Sequence, residues 1–309
     1  MAGTLYAFGI NWSIELETVA LRQSHRTAAP DVRVRFATPG ECRLRDDDGP
    51  SIVVWSGMAD SPIVLERGPG GDHLFDYGDR ARFLLPAALD EIRCFARDPH
   101  DPAWQRVLFD TVMFSMGLLR GGRMLHAAAV ALDRQVVAIV GLTGGGKSSL
   151  AWELMRRGAS FVSDDVLALW IDGRRVTAAS GPPLMNLPTA WPLEAFSREI
   201  AAFPDGDERW VHLTGAVGES LPMAAFVLLN RRAGQVLSLE RLPSNPIPLL
   251  AHSIHLDNAP SATASRFTLL ADVADRVPIY GFAADVHDAP ETLAGYLVDS
   301  LRRGGALDG

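Results

Sequence analysis

Residues 141–149 read GLTGGGKSS, and what this glycine run holds decides the rest of the chain. Gly141, Gly146, Lys147 and Ser148 complete the pattern G-x-x-x-x-G-K-[ST]. The apolar run VVAIV (136–140) precedes it and the helix-forming stretch SSLAWELMRRG (148–158) follows. Strand, glycine loop and helix in that order make a phosphate cradle. Backbone N–H groups from Gly141, Thr143, Gly144, Gly145, Gly146, Lys147, Ser148 and Ser149 wrap the phosphates. Lys147 reaches the β and γ groups, and the Ser148 hydroxyl faces Mg²⁺. The predicted cofactors are ATP and Mg²⁺. Lys147 is the one lysine among 29 basic Lys and Arg residues. A compact ammonium on a flexible stem fits between two phosphates better than a planar guanidinium does.

Composition bounds what surrounds this loop. The chain has 309 residues, 48% of them apolar, enough for one large or two ordinary domains. The formal net charge of −8 argues against nucleic acid or an anionic membrane as a partner. Arginine pairs such as Arg156-Arg157 and Arg231-Arg232 are scattered and read as solvated faces. The two cysteines, Cys42 and Cys94, have no close spacing, so neither a disulfide framework nor a zinc site is indicated. The start MAGTLYAFGINW lacks a basic region followed by a long apolar core, and no run reaches membrane-spanning length. A soluble, cytoplasmic protein is the expectation.

Working outward, residues 1–98 alternate short β-like runs with turn signals: TLYAFGINW, DVRVRFA, SIVVWSG and SPIVLER, separated by stretches such as RDDDGP and GPGGD. They predict a small β-rich N-terminal domain. The stretch RDPHDP (97–102) is the expected boundary, and 103–309 the nucleotide-binding domain, α/β in pattern. The apolar spacing of 103–120 predicts a buried helix. MLHAAAVAL and QVVAIVG, separated only by Asp133-Arg134, predict a hairpin that sets residue 126 opposite residue 141. His126 would then flank the first glycine of the loop, where a phosphate-side role competes with that of a satisfied core histidine. Helices are expected around WPLEAFSREIAAF, SATASRFTLLADVADR and ETLAGYLVDSLRR, and strands at MAAFVLLNR, VLSLERL and PIYGFA.

The strand ASFVS (159–163) after the loop helix ends at the same sheet edge as the loop, and Asp164 and Asp165 follow it directly. Adjacent carboxylates at that edge can divide labour, one toward Mg²⁺ and one toward the hydroxyl to be phosphorylated.

The run LHAAAVALDRQVVAIVGLTGGGKSSLAWELMRRGASFVSDD (125–165) resembles the catalytic core of the HPr serine kinase/phosphorylase family, relatives of the phosphoenolpyruvate carboxykinases in fold. The matching features are His126 in the preceding strand, Lys147, the helix carrying Ala151, Glu153, Leu154, Arg157 and Gly158, and the terminal Asp164-Asp165. The resemblance implies that Asp164 is the general base toward a peptide or protein serine with His126 adjacent. Asp165 and Ser148 would serve the metal, with the order of the aspartates open. The family's further metal-binding glutamate lies in an E-I-R-G-type motif that is absent here, and Glu194 stands at about that distance. Ser149 also replaces an acidic residue of the bacterial regulators, which sets phosphorylase activity and HPr itself aside as expectations. The layout looks more like the diverged branch associated with lasso peptide maturation, and implies phosphorylation of a precursor peptide near its C-terminus.

Arg209, in DERW, and Arg266 are candidate phosphate contacts, beside their alternative as surface arginines. His252, His255 and Asp257 in HSIHLD have spacing compatible with one helical face. Two further readings stay in play: a nucleotide-binding switch or scaffold, and a small-molecule kinase of the same fold. The oligomeric state is open.

Overall fold

The computed structural model describes residues 3–16, 29–44, 52–56, 63–173, 175–202, 207–256 and 260–307. RDDDGP (45–50) and Asp257 therefore lie outside the described residues. The chain divides into two compact units, Met1–Gly122 and Arg123–Gly309. No helix among the described residues is long and apolar enough to cross a membrane.

The first unit is an eight-stranded sheet built from β1 (Gly3–Ala7), β2 (Ile10–Ile14), β3 (Val32–Phe36), β4 (Ile52–Ser56), β5 (Val64–Arg67), β6 (His73–Tyr77), β7 (Ala81–Leu85) and β8 (Glu91–Ala96). Its order is β1-β2-β3-β8-β7-β6-β5-β4. In β8 every second residue is buried, the period-2 pattern of a sheet covered on one face. A helical run follows as α1 (Pro102–Val107), a π-helical turn (Leu108–Val112) and α2 (Met113–Leu119). The Asp101 side chain caps it by accepting from the Ala103 N–H. The sequence assigned this helix to the second domain. In the structure it closes the first: Trp104 packs its ring 5.6 Å from that of Phe36, and Arg120 donates to the Leu89 carbonyl. The division thus falls after Gly122 rather than in RDPHDP, because the packing of the buried Trp104 into the first unit outweighs the local proline signal.

The second unit is mixed α/β. Its main sheet contains β9 (Arg123–Leu132), β10 (Gln135–Val140), β11 (Ser160–Ser163), β12 (Val166–Asp172), β13 (Arg175–Ala179), β17 (Ser220–Arg231), β18 (Ser238–Arg241), β19 (Ser253–Ile254) and β20 (Ile279–Ala284). β9 and β17 are 10 and 12 residues long, and each changes partner along its length. β9 pairs with β12 through residues 123–126 and with β10 through 127–132. β17 pairs with β13 through 220–222 and with β10 through 223–228. The ring β10-β9-β12-β13-β17 consequently closes on itself, with β20 and β18 added outside β17.

Alternate residues of β9 face opposite sides. Ala128, Val130 and Leu132 join a core with α3 (Lys147–Arg156) and α6 (Pro290–Arg303), while Leu125, Ala127, Ala129 and Ala131 join a second core that includes Leu270 and Val273 of α5 (Pro260–Arg276). Burial on both faces explains why MLHAAAVAL reads as a continuous apolar run.

The hairpin register is the one expected, from Gln135 opposite Leu132 to Val140 opposite Ala127. Asp133 and Arg134 both adopt positive φ, 50° and 61°, the twist a two-residue hairpin needs even without glycine. The Arg134 guanidinium pairs with Glu219 and the Asp133 carboxylate with Arg302.

A separate three-stranded sheet, β14-β16-β15, comprises β14 (Leu184–Pro188), β15 (Ser197–Ala202) and β16 (Glu208–Leu213). The helix expected at WPLEAFSREIAAF is replaced by turns and β15, whose residues are half-buried or exposed. HSIHLD is not helical either: α4 (Ile247–Ala251) ends before it, and Ser253–Ile254 form β19.

Candidate active site

The first strand of the site is β10, whose residues 136–140 are wholly buried. The chain can leave it only through a glycine. A Cβ at Gly141 would stand 2.8 Å from the Leu229 carbonyl oxygen on neighbouring β17. Gly146, the residue before α3, has φ 93° and lets the backbone turn into the helix. The first N–H groups of α3 lack intrahelical acceptors and carry the positive end of the helix dipole, so the loop is built to receive an anion.

Lys147 is 5% exposed. Its ammonium donates to the carbonyls of Gly141 (3.1 Å) and Leu142 (3.0 Å) and to Nε2 of His126 (3.1 Å). An ammonium has only donors, so Nε2 is the unprotonated acceptor and Nδ1 carries the proton. Nδ1–H then donates to the Asp165 carbonyl at 3.0 Å. Thr143 Oγ1 lies 3.4 Å from the same Nε2. Burial lowers the Lys147 pKa, opposed by the nearby carboxylates of Asp165 and Asp164. His126 is where β9 changes partner: beyond it the edge vacated by β10 is taken by β19, and its N–H donates to the His252 carbonyl at 2.7 Å. The His252 imidazole is driven toward its neutral form by burial, by His126 and by Lys147.

β11 runs antiparallel to β9 on the side away from β10, hence parallel to β10. The Asp164-Asp165 pair after it comes level with the loop, and the Asp165 carbonyl accepts from Ala127 N–H at 3.2 Å. The two carboxylates have opposite environments. Asp164 accepts the Ser148 hydroxyl at 2.8 Å, and its carboxyl is pushed up to about 8, first by burial and then by the charge of Asp165. Asp165 is exposed, with φ 60°, at the centre of a tight turn closed by Val166 N–H donating to the Asp164 carbonyl at 2.7 Å. A positive φ at a non-glycine residue beside this glycine loop is backbone strain of the kind that collects at functional sites.

Ser148 Oγ and the Asp164 carboxylate form a hard-oxygen pair that would suit Mg²⁺, an ion commonly held by one or two protein oxygens together with water and phosphate. Among the described residues no group of three or more His, Cys, Asp or Glu is placed to hold a metal. Glu194 does not complete such a set. It pairs with Arg156 Nε at 2.9 Å, at the opposite end of α3 from Ser148, about 12 Å away along the helix axis.

Arg209 bonds Glu199 at 3.2 Å and the Trp191 carbonyl, within the three-stranded sheet. Arg266 donates to Thr263 Oγ1 at 2.9 Å on α5. No described contact brings either of them to the loop. Arg231, read from sequence as a solvated arginine, is a second basic residue at the loop beside Lys147: its Nη1 would lie 3.1 Å from a Cβ on Gly146. It sits at the end of β17, beside β10, a placement visible only through long-range pairing. Ser149, third in α3, is half-buried.

No family model matches the chain, and no curated protein matches it. Among solved structures the chain is similar to the Hpr(Ser) kinase/phosphatase from Coxiella burnetii, with 12% identity and a TM-score of 0.34 over 59% of this chain and 98% of that one. A likeness of that degree leaves the reading of the site to its own side chains.

Proposed function

We propose that the chain is an ATP- and Mg²⁺-dependent phosphotransferase that phosphorylates a serine hydroxyl of a peptide or small protein, with a lasso-type precursor peptide as the acceptor class to try first. The observation that carries this reading is the Ser148–Asp164 hydrogen bond at the mouth of a complete phosphate loop. Phosphoryl transfer asks for positioning and charge neutralisation more than covalent chemistry, and this group of side chains supplies both.

In this reading Lys147 leaves the neutral carbonyls of Gly141 and Leu142 for the stronger, charged acceptor that a phosphate offers. Ser148 and Asp164 would hold Mg²⁺, which when bound would draw charge from the phosphate oxygens. That assignment exchanges the expected roles of the two aspartates. Asp164, half-buried and bonded to Ser148, serves the metal side. Asp165, exposed on its strained turn, takes the proton from the acceptor hydroxyl. His126 positions both neighbours: Nε2 orients the Lys147 ammonium and Nδ1–H fixes the Asp165 backbone.

The test is mass spectrometry of the acceptor after incubation with ATP and Mg²⁺. A gain of about 80 Da on serine, absent with Lys147→Ala, supports the proposal. Bound nucleotide without transfer to any peptide favours a switch or a small-molecule kinase.

A further inference from the structure

The loops that leave the parallel strands β10, β17 and β20 emerge at one sheet edge, the edge at which α/β sheets bind ligands. Seven large apolar side chains are exposed among the described residues, and three of them stand on these three loops: Leu142 (77%), Val236 (77%) and Val286 (45%). Isolated exposed apolar residues need no explanation. One on each of three successive ligand-edge loops does.

The pairing brings two of them together. β18 lies antiparallel to β20 with Ser238 opposite Ala283, while Arg231 at the end of β17 is opposite Ala284. Residues 232–237 therefore arch over the end of β20, where residues 285–288 emerge. The Gly234 N–H donates to the Asp285 carboxylate, joining the two loops. Arg231 ties both to the phosphate loop. Its Nη1 faces Gly146, its Nε donates to the Asp285 carbonyl (3.3 Å), and its Nη2 donates to the carbonyls of Val286 (2.8 Å) and Asp288 (2.7 Å).

We propose that Val236 and Val286 form an apolar resting surface for the base of the bound nucleotide, with Arg231 spanning the gap between that surface and the phosphate loop. This deepens the nucleotide reading above and rests on it. The end of β20 lies two strand spacings, about 10 Å, from the end of β10, a distance suited to a nucleotide whose phosphates sit on the loop and whose ribose and base extend across β17. The surface is held in advance. Asp285 accepts from the N–H groups of His287 and Gly234, which hold its carboxyl below the usual range, and the Asp288 carboxylate accepts the Asp285 N–H at 2.9 Å. Both carboxylates are thus taken up by backbone, so the contact with the base is aliphatic, and bases differing only in their polar edges are weakly distinguished.

The experiment is calorimetric titration of the full chain with ATP, GTP, CTP and inorganic tripolyphosphate in Mg²⁺, repeated on Val236→Ala and on Val236→Ala/Val286→Ala. The expected result is ATP binding tighter than tripolyphosphate in the wild type, with ATP, GTP and CTP within about tenfold of one another. ATP affinity should fall about fivefold in the double variant while tripolyphosphate affinity stays unchanged. Val236 is the safeguard, since its exposed side chain can be cut back without cost to folding; it should show part of the same selective loss. Wild type that binds ATP no better than tripolyphosphate, or variants that weaken both ligands equally or neither, overturns the base surface and leaves the phosphate-loop reading standing. Wild type that binds neither ligand refutes that reading, and this inference with it.

Discussion

Replacing Asp164 by Asn should abolish phosphoryl transfer and at the same time stabilise the nucleotide-free protein. An unfolded aspartate titrates near 3.9, whereas burial and the neighbouring Asp165 push this carboxyl up to about 8. A folded-state pKa raised above the unfolded one means that the folded chain binds the extra proton. The contribution of this carboxyl to wild-type stability is then greatest below about pH 4, falls as pH rises, and levels off above about pH 8, with a slope of up to about 1.4 kcal/mol per pH unit. Asn does not titrate, and its carbonyl still accepts the Ser148 hydroxyl. The variant should match wild type near pH 4 and exceed it progressively above. A full shift corresponds to about 4 kcal/mol at pH 7; sharing of the proton between the two aspartates and the unmet donors of the amide reduce this to about 2 kcal/mol. For a unit of this size that is a rise in Tm of about 5 °C. Thermal unfolding of both proteins without nucleotide, from pH 4.5 to 8.5, reads it directly. A variant that melts at or below wild type throughout, or a difference that does not grow with pH, refutes the assignment of Asp164 as a desolvated carboxyl held against its charge.

Other perturbations separate the remaining parts. If Mg²⁺·ATP binds to ionised Asp164, binding should release close to one proton at pH 7 and almost none at pH 9.5, measured as the dependence of the calorimetric enthalpy on the buffer's ionisation heat. Asp165→Ala should be about 1 kcal/mol less stable than Asp165→Gly, because only glycine adopts the positive φ without cost, while both lose transfer activity; equal stability in chemical denaturation contradicts the strained turn. Arg231→Ala removes the donor to three carbonyls and should lower stability by about 2 kcal/mol and loosen residues 285–288, seen as faster amide exchange there, with Arg231→Lys failing to restore it. The Cys42 thiol, pushed up to about 11 chiefly by burial, should resist alkylation at pH 8 in the native state and react only on unfolding.

The parts of the site legible in sequence are those set by short-range geometry. The spacing of Gly141, Gly146, Lys147 and Ser148 is a local requirement of one loop, and counting back from Asp133-Arg134 places His126 beside it because a hairpin register is arithmetic. Long-range pairing is not local. Arg231 lies 84 positions after Lys147 and reaches Gly146 only because β17 pairs in parallel with β10. His252 comes to His126 because β19 takes over the edge that β10 leaves. Glu194 illustrates the converse error. Its distance along the chain suited a metal ligand, but the segment WPLEAFSREIAAF forms turns and an edge strand that deliver it to Arg156. Two apolar residues of the segment, Trp191 and Phe196, pack on Trp152 of α3 from a non-helical loop.

Asp164 and Asp165 show why residue type alone could not assign the chemistry. They are adjacent, identical in structure, and equivalent in any reading of the sequence. The backbone separates them: β11 carries Asp164 inward to the Ser148 hydroxyl, and the positive φ at the next residue turns Asp165 outward. Desolvation and the adjacent charge of Asp165 together push the half-buried Asp164 carboxyl toward its protonated form. In the proposed reading the exposed group would stay available for an incoming hydroxyl, while the half-buried one would become an anion when a cation arrives to offset its charge. The division of labour is therefore coupled to loading. As the structure stands, Lys147 is occupied by loop carbonyls and His126, and the Asp164 carboxyl, raised to about 8, favours its protonated form at neutral pH; in the proposed reading a Mg²⁺-bound triphosphate would replace both arrangements in one event.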